Sequence, residues 1–118
     1  MKARRLSWAA VRRCFASLPG VVEGSSYGTP AFRVGKKFLA RLREDGEDLV
    51  VRIPFEERET LLAAAPRVFH VTDHYAGYPA VLVRLRAVKA ADLARVAELG
   101  WRFAATKRAV AKWDAARR

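Results

Sequence analysis

The chain has one cysteine, two histidines and no apolar run near the roughly 20 residues that a bilayer-spanning helix needs. Each scarcity closes off a class of function. A single thiol, Cys14, cannot form an internal disulfide, and beside Phe15 in a helical pattern it reads as a small core or near-core group. His70 and His74 are four apart but fall on a strand and in a loop, with no further thiol or carboxylate to complete a ligand set, so no metal site is expected. Gly24, Gly28 and Gly35 lack the spacing and the strand-to-helix setting of a nucleotide loop, so no cofactor is expected either. The N-terminus has no apolar signal core, which points to a cytoplasmic protein without a membrane partner. There is no repeat, low-complexity tract or linker. Residues 1–118 therefore form one expected domain, with basic ends, 1–6 and 114–118, expected to fray.

Acids are also scarce, 12 against 23 lysines and arginines, leaving a net charge of +11. The surplus is uneven. Lys2, Arg4, Arg5, Arg12 and Arg13 face no acid within residues 1–13, while Arg102, Lys107, Arg108, Lys112, Arg117 and Arg118 face only Asp114 within residues 101–118. The middle is almost balanced. An excess of this size suits a polyanionic partner or serves solubility.

The apolar pattern is rich enough for one core, at 52% of residues. Trp8, Val11, Phe15 and Leu18 mark one face of a helix from about Ser7, its N-cap, to a stop at Pro19-Gly20. Gly20 to Pro30, with its glycines, serines and proline, reads as an irregular loop carrying Glu23 and Tyr27. Strands are expected at Ala31–Val34, Lys37–Leu42 and Leu49–Ile53, then a helix over Phe55–Ala65 and strands at Val68–Val71 and Ala80–Leu85. A last helix begins near Ala91; Lys107 would fall on its apolar face, so a break with Thr106 capping a second short helix is expected. The fold class is α+β, in the order α-β-β-β-α-β-β-α, an antiparallel sheet with helices packed on one face.

Strand alternation assigns Phe32, Val34, Phe38, Ala40, Leu42, Leu49, Val51, Ile53, Val81, Val83 and Leu85 to the helix-covered face. The opposite face receives Arg33, Arg41, Arg43, Arg52, Arg84 and Arg86, with Leu39, Val50 and Leu82 between them. Guanidinium groups pair bidentately with phosphate and stack on bases, so this face is a candidate nucleic-acid surface for DNA or RNA. Lys107 and Arg108 in the terminal cluster form a second. A sheet face kept soluble by arginine and neutralised by the acidic turn of Glu44, Asp45 and Glu47 and by Glu56, Glu57 and Glu59 of the middle helix is the plainer account of the same residues.

The loops holding Glu23 and Tyr27, and His74, Tyr75 and Tyr78, are the candidate small-ligand site. A histidine beside Asp73 can move protons, but no nucleophile is fixed next to it, and no catalytic residue is assigned. A protein–protein adaptor or chaperone-like module is the further alternative, marked by an exposed apolar patch.

The run from Leu18-Pro19-Gly20 through Glu23-Gly24-Ser25-Ser26-Tyr27-Gly28-Thr29-Pro30-Ala31-Phe32-Arg33-Val34, followed by Lys37-Phe38-Leu39-Ala40-Arg41-Leu42, resembles the opening signature of the MmcQ/YjbR family. His74-Tyr75, Gly77-Tyr78 and Val81-Leu82-Val83-Arg84-Leu85 resemble its second signature. The resemblance spans about residues 10–110. It implies an α+β fold of the same element order, likened to secretion chaperones and to a double-wing DNA-binding fold, and DNA binding as the activity; it brings no catalytic residues. Tyr78 stands where the family often has tryptophan, and Trp101 lies where a serine–tyrosine pair is more usual.

Overall fold

The structure, a computed structural model, describes residues 5–117. Ser7 opens the first helix, its side chain accepting from the Ala10 amide, and α1 runs over Trp8–Ala16. Four strands follow, β1 (Val21–Ser26), β2 (Thr29–Val34), β3 (Lys37–Leu42) and β4 (Asp48–Arg52). Helix α2 (Phe55–Ala64), strand β5 (Phe69–His70), a single 3₁₀ turn (Asp73–Tyr75) and strand β6 (Ala80–Arg84) lead to α3 (Ala90–Ala104) and α4 (Lys107–Ala116). All pairings are antiparallel and the sheet order is β1-β2-β3-β4-β6-β5. The expected order of elements holds, with β1 added ahead of the first expected strand and the last helix divided where Thr106 caps α4. Part of the fraying expected at the two ends falls on residues 1–4 and 118, outside the described residues.

Residues 20–30, expected as an irregular loop, instead build β1 and its turn. Tyr27 (φ 53°) and Gly28 (φ 80°) are both left-handed, the requirement of a two-residue hairpin whose twist matches its strands. Ser26 pairs with Thr29 across it, and the register continues to Val21 opposite Val34. At the other edge the strand expected over Val68–Val71 is reduced to Phe69–His70, which pairs with β6.

One face of the sheet carries the main core. Phe32, Ala40, Leu49, Val51, Val81 and Val83 are buried beneath α1 and α3, whose inward residues include Val11, Phe15, Leu93, Val96, Ala97 and Trp101. Phe32 is sandwiched between Trp8 and Phe15, stacked at 5.3 and 4.5 Å between ring centroids. Trp101 is fully buried and donates its indole N–H to the Pro19 carbonyl at 2.7 Å, which fastens α3 to the end of α1. Cys14 lies half-buried with its thiol toward the Ala90 carbonyl, and burial pushes that thiol up from its ordinary pKa, away from nucleophilic use.

Strict alternation fails once, in β3. Phe32 pairs with Ala40 but Arg33 pairs with Phe38, so Leu39 is an extra residue in a β-bulge. The bulge reverses two expectations. Leu39 turns into the main core, fully buried, whereas Phe38 turns to the opposite face beside Arg33. Helix α3 crosses the sheet at this point with Gly100, where an added Cβ would lie 2.8 Å from the Leu39 side chain and 2.9 Å from the Arg52 carbonyl.

Alanine is the better helix former by about 1 kcal/mol, but it would have to push backbone here, and overpacking of a fitted core costs roughly 1–3 kcal/mol. Gly100→Ala is therefore expected to lower stability in urea unfolding, and a variant at least as stable as the parent would contradict the close approach of α3 to the bulge.

Candidate functional site

The face opposite the main helices is partly roofed by residues 72–80. Tyr75 donates its amide to the Thr72 carbonyl, Tyr78 to Tyr75, and Ala80 to Tyr78, a run of tight turns. Arg58, projecting from α2, gathers it. The Arg58 Nη1 donates to the carbonyls of Tyr78 (2.8 Å), Tyr75 (3.3 Å) and Ala80 (3.4 Å), and Nη2 donates to that of Ala76 (3.2 Å). Its side chain is only 10% exposed, with Nε donating to Glu59 and the guanidinium over the Phe55 ring. So placed, the segment lays Tyr75 against a small second apolar cluster of Val50, Ala80 and Leu82. His74 meets the Tyr75 ring edge-on, and Tyr78 closes the group.

The facing wall is the β1–β2 hairpin tip. Between hairpin and roof runs a groove of about 680 Å³, floored by Phe38, Arg33 and Arg41 and walled by Ser26, Tyr27, Glu44, His74, Tyr75 and Tyr78. A narrower recess of about 250 Å³ shares Phe38, Tyr75 and Tyr78 and ends at Arg52 and Pro79. Tyr27 is 87% exposed and Tyr78 58% exposed, so both present ring surface to solvent. Arg41 binds the groove together: Nη2 donates to the Tyr75 hydroxyl at 3.0 Å, Nη1 donates to Glu44 at 2.9 Å, and the guanidinium lies 5.5 Å from the Tyr27 ring centroid. Burial opposes the Arg41 charge, but the hydrogen bonds to Tyr75 and Glu44 outweigh it and hold its pKa above the ordinary value. The Glu44 carboxyl is held below the usual range, first by its own backbone amide and then by Arg41. The bulge explains why Phe38 is here; alternation without a bulge had assigned it to the core.

The arginine-studded face expected from the strands is largely committed elsewhere. Arg43 reaches toward Asp48 (3.7 Å), which His70 also meets at 3.1 Å. Arg84 donates to the carbonyls of Pro66 and Arg67, and Arg86 pairs with Glu47 at 2.6 Å. Arg52 stacks on the Phe103 ring at 4.3 Å while bordering the recess. Only Arg33 and Arg41 lie in the main groove. Glu23, grouped by sequence with Tyr27, faces away: it accepts from Arg12 Nε (2.6 Å) and from the Trp8 indole (3.0 Å), tying β1 to α1. Lys107 and Arg108 are exposed on the first turn of α4, apart from the groove. His70 and His74 serve separate clusters, and among the described residues no group of three or more His, Cys, Asp or Glu side chains could hold a metal ion. A further cleft of about 550 Å³ separates α2 from α3, with Leu61, Ala65, Val68 and Leu99 below a rim of Asp92, Arg95, Glu98 and Arg102. No helix among the described residues is long and apolar enough to cross a membrane. Sequence reasoning missed Arg58, whose surroundings in the chain are the acidic face of α2; a lone arginine among glutamates gives no sign of the carbonyls it meets.

A family model, YjbR, matches residues 16–103. Uncharacterised proteins of Mycobacterium tuberculosis and Mycobacterium bovis are each 30% identical over 122 aligned residues, covering 88% of this chain and 92% of theirs. The crystal structure of a Deinococcus radiodurans protein with a DUF419 domain superposes with a TM-score of 0.72 at 21% identity, covering 91% of this chain and 84% of that one. That likeness concerns the fold.

Two outcomes follow from the anchors around the site. Arg58→Met removes a buried donor shared by four carbonyls, of which those of Tyr75 and Tyr78 keep a backbone amide, and is expected to cost on the order of 3 kcal/mol, with faster amide exchange at Tyr78 and Ala80; unchanged exchange there would remove Arg58 as the anchor. Glu23 has a pKa lowered by its hydrogen bonds from Arg12 and then Trp8, so its contribution to stability is complete above the unfolded value and is lost as pH falls through the lowered folded value. Acid titration of the parent below pH 4.5 should therefore weaken the fold more than it weakens Glu23→Gln, measured by urea midpoints at each pH.

Proposed function

This chain belongs to the YjbR family, and we propose that it is a nucleic-acid-binding protein that holds DNA or RNA in the groove on the open face of its sheet. The observation that carries the proposal is the interleaving of exposed rings with cations: Tyr27 and Tyr78 flank a floor containing Arg33 and Arg41. Aromatic faces hold bases by stacking, and arginine donates to the phosphate oxygens between them, so the two residue types at this spacing suit a nucleotide chain. The Arg33 side chain has neither an ion pair nor a hydrogen bond among the described residues, which leaves its charge available in the groove. The positive excess at the chain ends, including Lys107 and Arg108, adds long-range attraction for a polyanion.

The site is non-enzymatic on this reading. His74 is met by the rings of Tyr75 and Tyr78, and no hydrogen bond ties it to an acid or a hydroxyl among the described residues, so the groove is read as offering binding groups rather than a proton-transfer pair.

Salt-titrated binding of labelled oligonucleotides tests the proposal. Affinity should fall linearly on a log–log plot as salt rises, through counterion release. Tyr27→Ala and Tyr78→Ala should each weaken binding about tenfold, in the range of a lost base–ring stack. Arg33→Ala with Arg41→Ala should weaken it further, while Lys107→Ala with Arg108→Ala should mainly flatten the salt slope. Absence of binding at low salt would refute the assignment.

A further inference from the structure

Resting on that reading of the groove, we infer that its ligand is a single strand, and that one of the strand's phosphates takes the seat which Glu44 occupies on Arg41. The Arg41 side chain is only 11% exposed, and its orientation is set from within: Nη2 is fixed by the Tyr75 hydroxyl and Nη1 also leans on the Leu42 carbonyl at 3.4 Å. Tyr75 is itself fixed by the roof that Arg58 holds. Glu44 is the partner that can leave. It is 62% exposed at the start of the β3–β4 turn and contributes one oxygen to Nη1. An ion pair with one member this exposed contributes little to stability, so its exchange for another anion is cheap. A phosphodiester offers Nη1 an equivalent charged oxygen.

The rings choose the strand. A duplex keeps its base faces covered by their neighbours, so Tyr27 and Tyr78 have nothing to stack on; an unstacked base in a single strand supplies that face. Tyr27 is held for this purpose at a backbone cost, because φ 53° is unfavourable for a residue with a Cβ and turns of this kind prefer asparagine or glycine. Its ring stands beside the Arg41 guanidinium, which places a stacked base and a paired phosphate next to each other. Glu44 also acts as a filter. A small anion must displace it by charge alone, whereas a strand adds the stacking, so inorganic phosphate is expected to compete poorly.

The experiment measures fluorescence anisotropy of labelled dT10, U10 and a ten-base-pair duplex with the full chain and its Glu44→Gln, Glu47→Gln, Arg41→Ala and Glu44→Gln/Arg41→Ala variants. Glu47→Gln removes the same charge at the pair with Arg86, outside the groove. Glu44→Gln should bind dT10 about three- to fivefold tighter than the parent, within the range of an exposed ion pair, with a much smaller change for Glu47→Gln. The gain should vanish in the Arg41→Ala background, the non-additivity expected of two groups in contact. dT10 and U10 should bind alike and the duplex at least tenfold more weakly. A parent that binds dT10 with Glu44→Gln no tighter, or with a gain that survives Arg41→Ala, overturns the inference and leaves nucleic-acid binding standing. Duplex bound as tightly as dT10 overturns the single-strand assignment. If neither parent nor Glu44→Gln binds any oligonucleotide at low salt, both readings fall together.

Discussion

The Arg58 guanidinium is the constraint on which the open face depends. The segment 72–80 contains one 3₁₀ turn, and four of its carbonyls converge on a buried cation that arrives from a different element. The arrangement works in both directions. The carbonyl dipoles solvate a charge that would otherwise be costly to bury, and the charge forces the carbonyls to face inward, which turns the Tyr75 and Tyr78 side chains outward over the sheet. Tyr75 then fixes Arg41, and Arg41 reaches Tyr27 and Glu44 on the other side of the groove. A chain of contacts thus runs from α2 through Tyr75 and Arg41 to the Tyr27 ring at the hairpin tip.

The second constraint is steric. The bulge at Leu39 sends two successive residues, Leu39 and Ala40, into the core beneath α3, and the glycine at position 100 allows the helix to settle against them. Its counterpart on the other face is Phe38, which becomes part of the groove floor. A device that improves packing on one side of the sheet therefore supplies an aromatic ring on the other.

Much of this fold is legible in the chain. The Ser7 and Thr106 caps, the break before α4, the helical spacing of Val11 and Phe15 and the alternation through Leu49, Val51, Val81 and Val83 are local signals, and local signals survive folding. What escaped depends on non-local partners. β1 has a polar, glycine-containing sequence and is held as an edge strand by its hairpin and by Glu23 bound to α1, none of which its composition announces. The bulge changes no residue type and is visible only when two strands are paired. At the candidate site the tyrosines, His74, Arg33 and Arg41 were within reach of sequence, because they stand in two compact loops and on predicted strands. The partners of Arg43, Arg84 and Arg86 were not legible for the opposite reason: alternation gives a side chain's face but not its partner, and each meets an acid or a carbonyl nearby.

Separating committed from available cations also changes what the net charge means. The balanced middle of the sequence contains the groove, whereas the surplus sits on the terminal segments, so the two act over different distances. Exposed terminal charges attract through solvent and are screened within about 8–10 Å at physiological salt. They raise the local concentration of a polyanion without orienting it. Arg41, mostly buried and hydrogen-bonded, adds little to a distant field, yet its donors point in fixed directions and select geometry once a ligand is in contact. A protein with only the first kind of charge binds any polyanion loosely, and one with only the second waits for rare encounters. In this fold the covalent order keeps them apart: among the described residues, α1, α3 and α4, which carry Arg12, Arg13, Arg102, Lys107, Arg108 and Lys112, pack against the main core, on the side of the sheet away from the proposed groove.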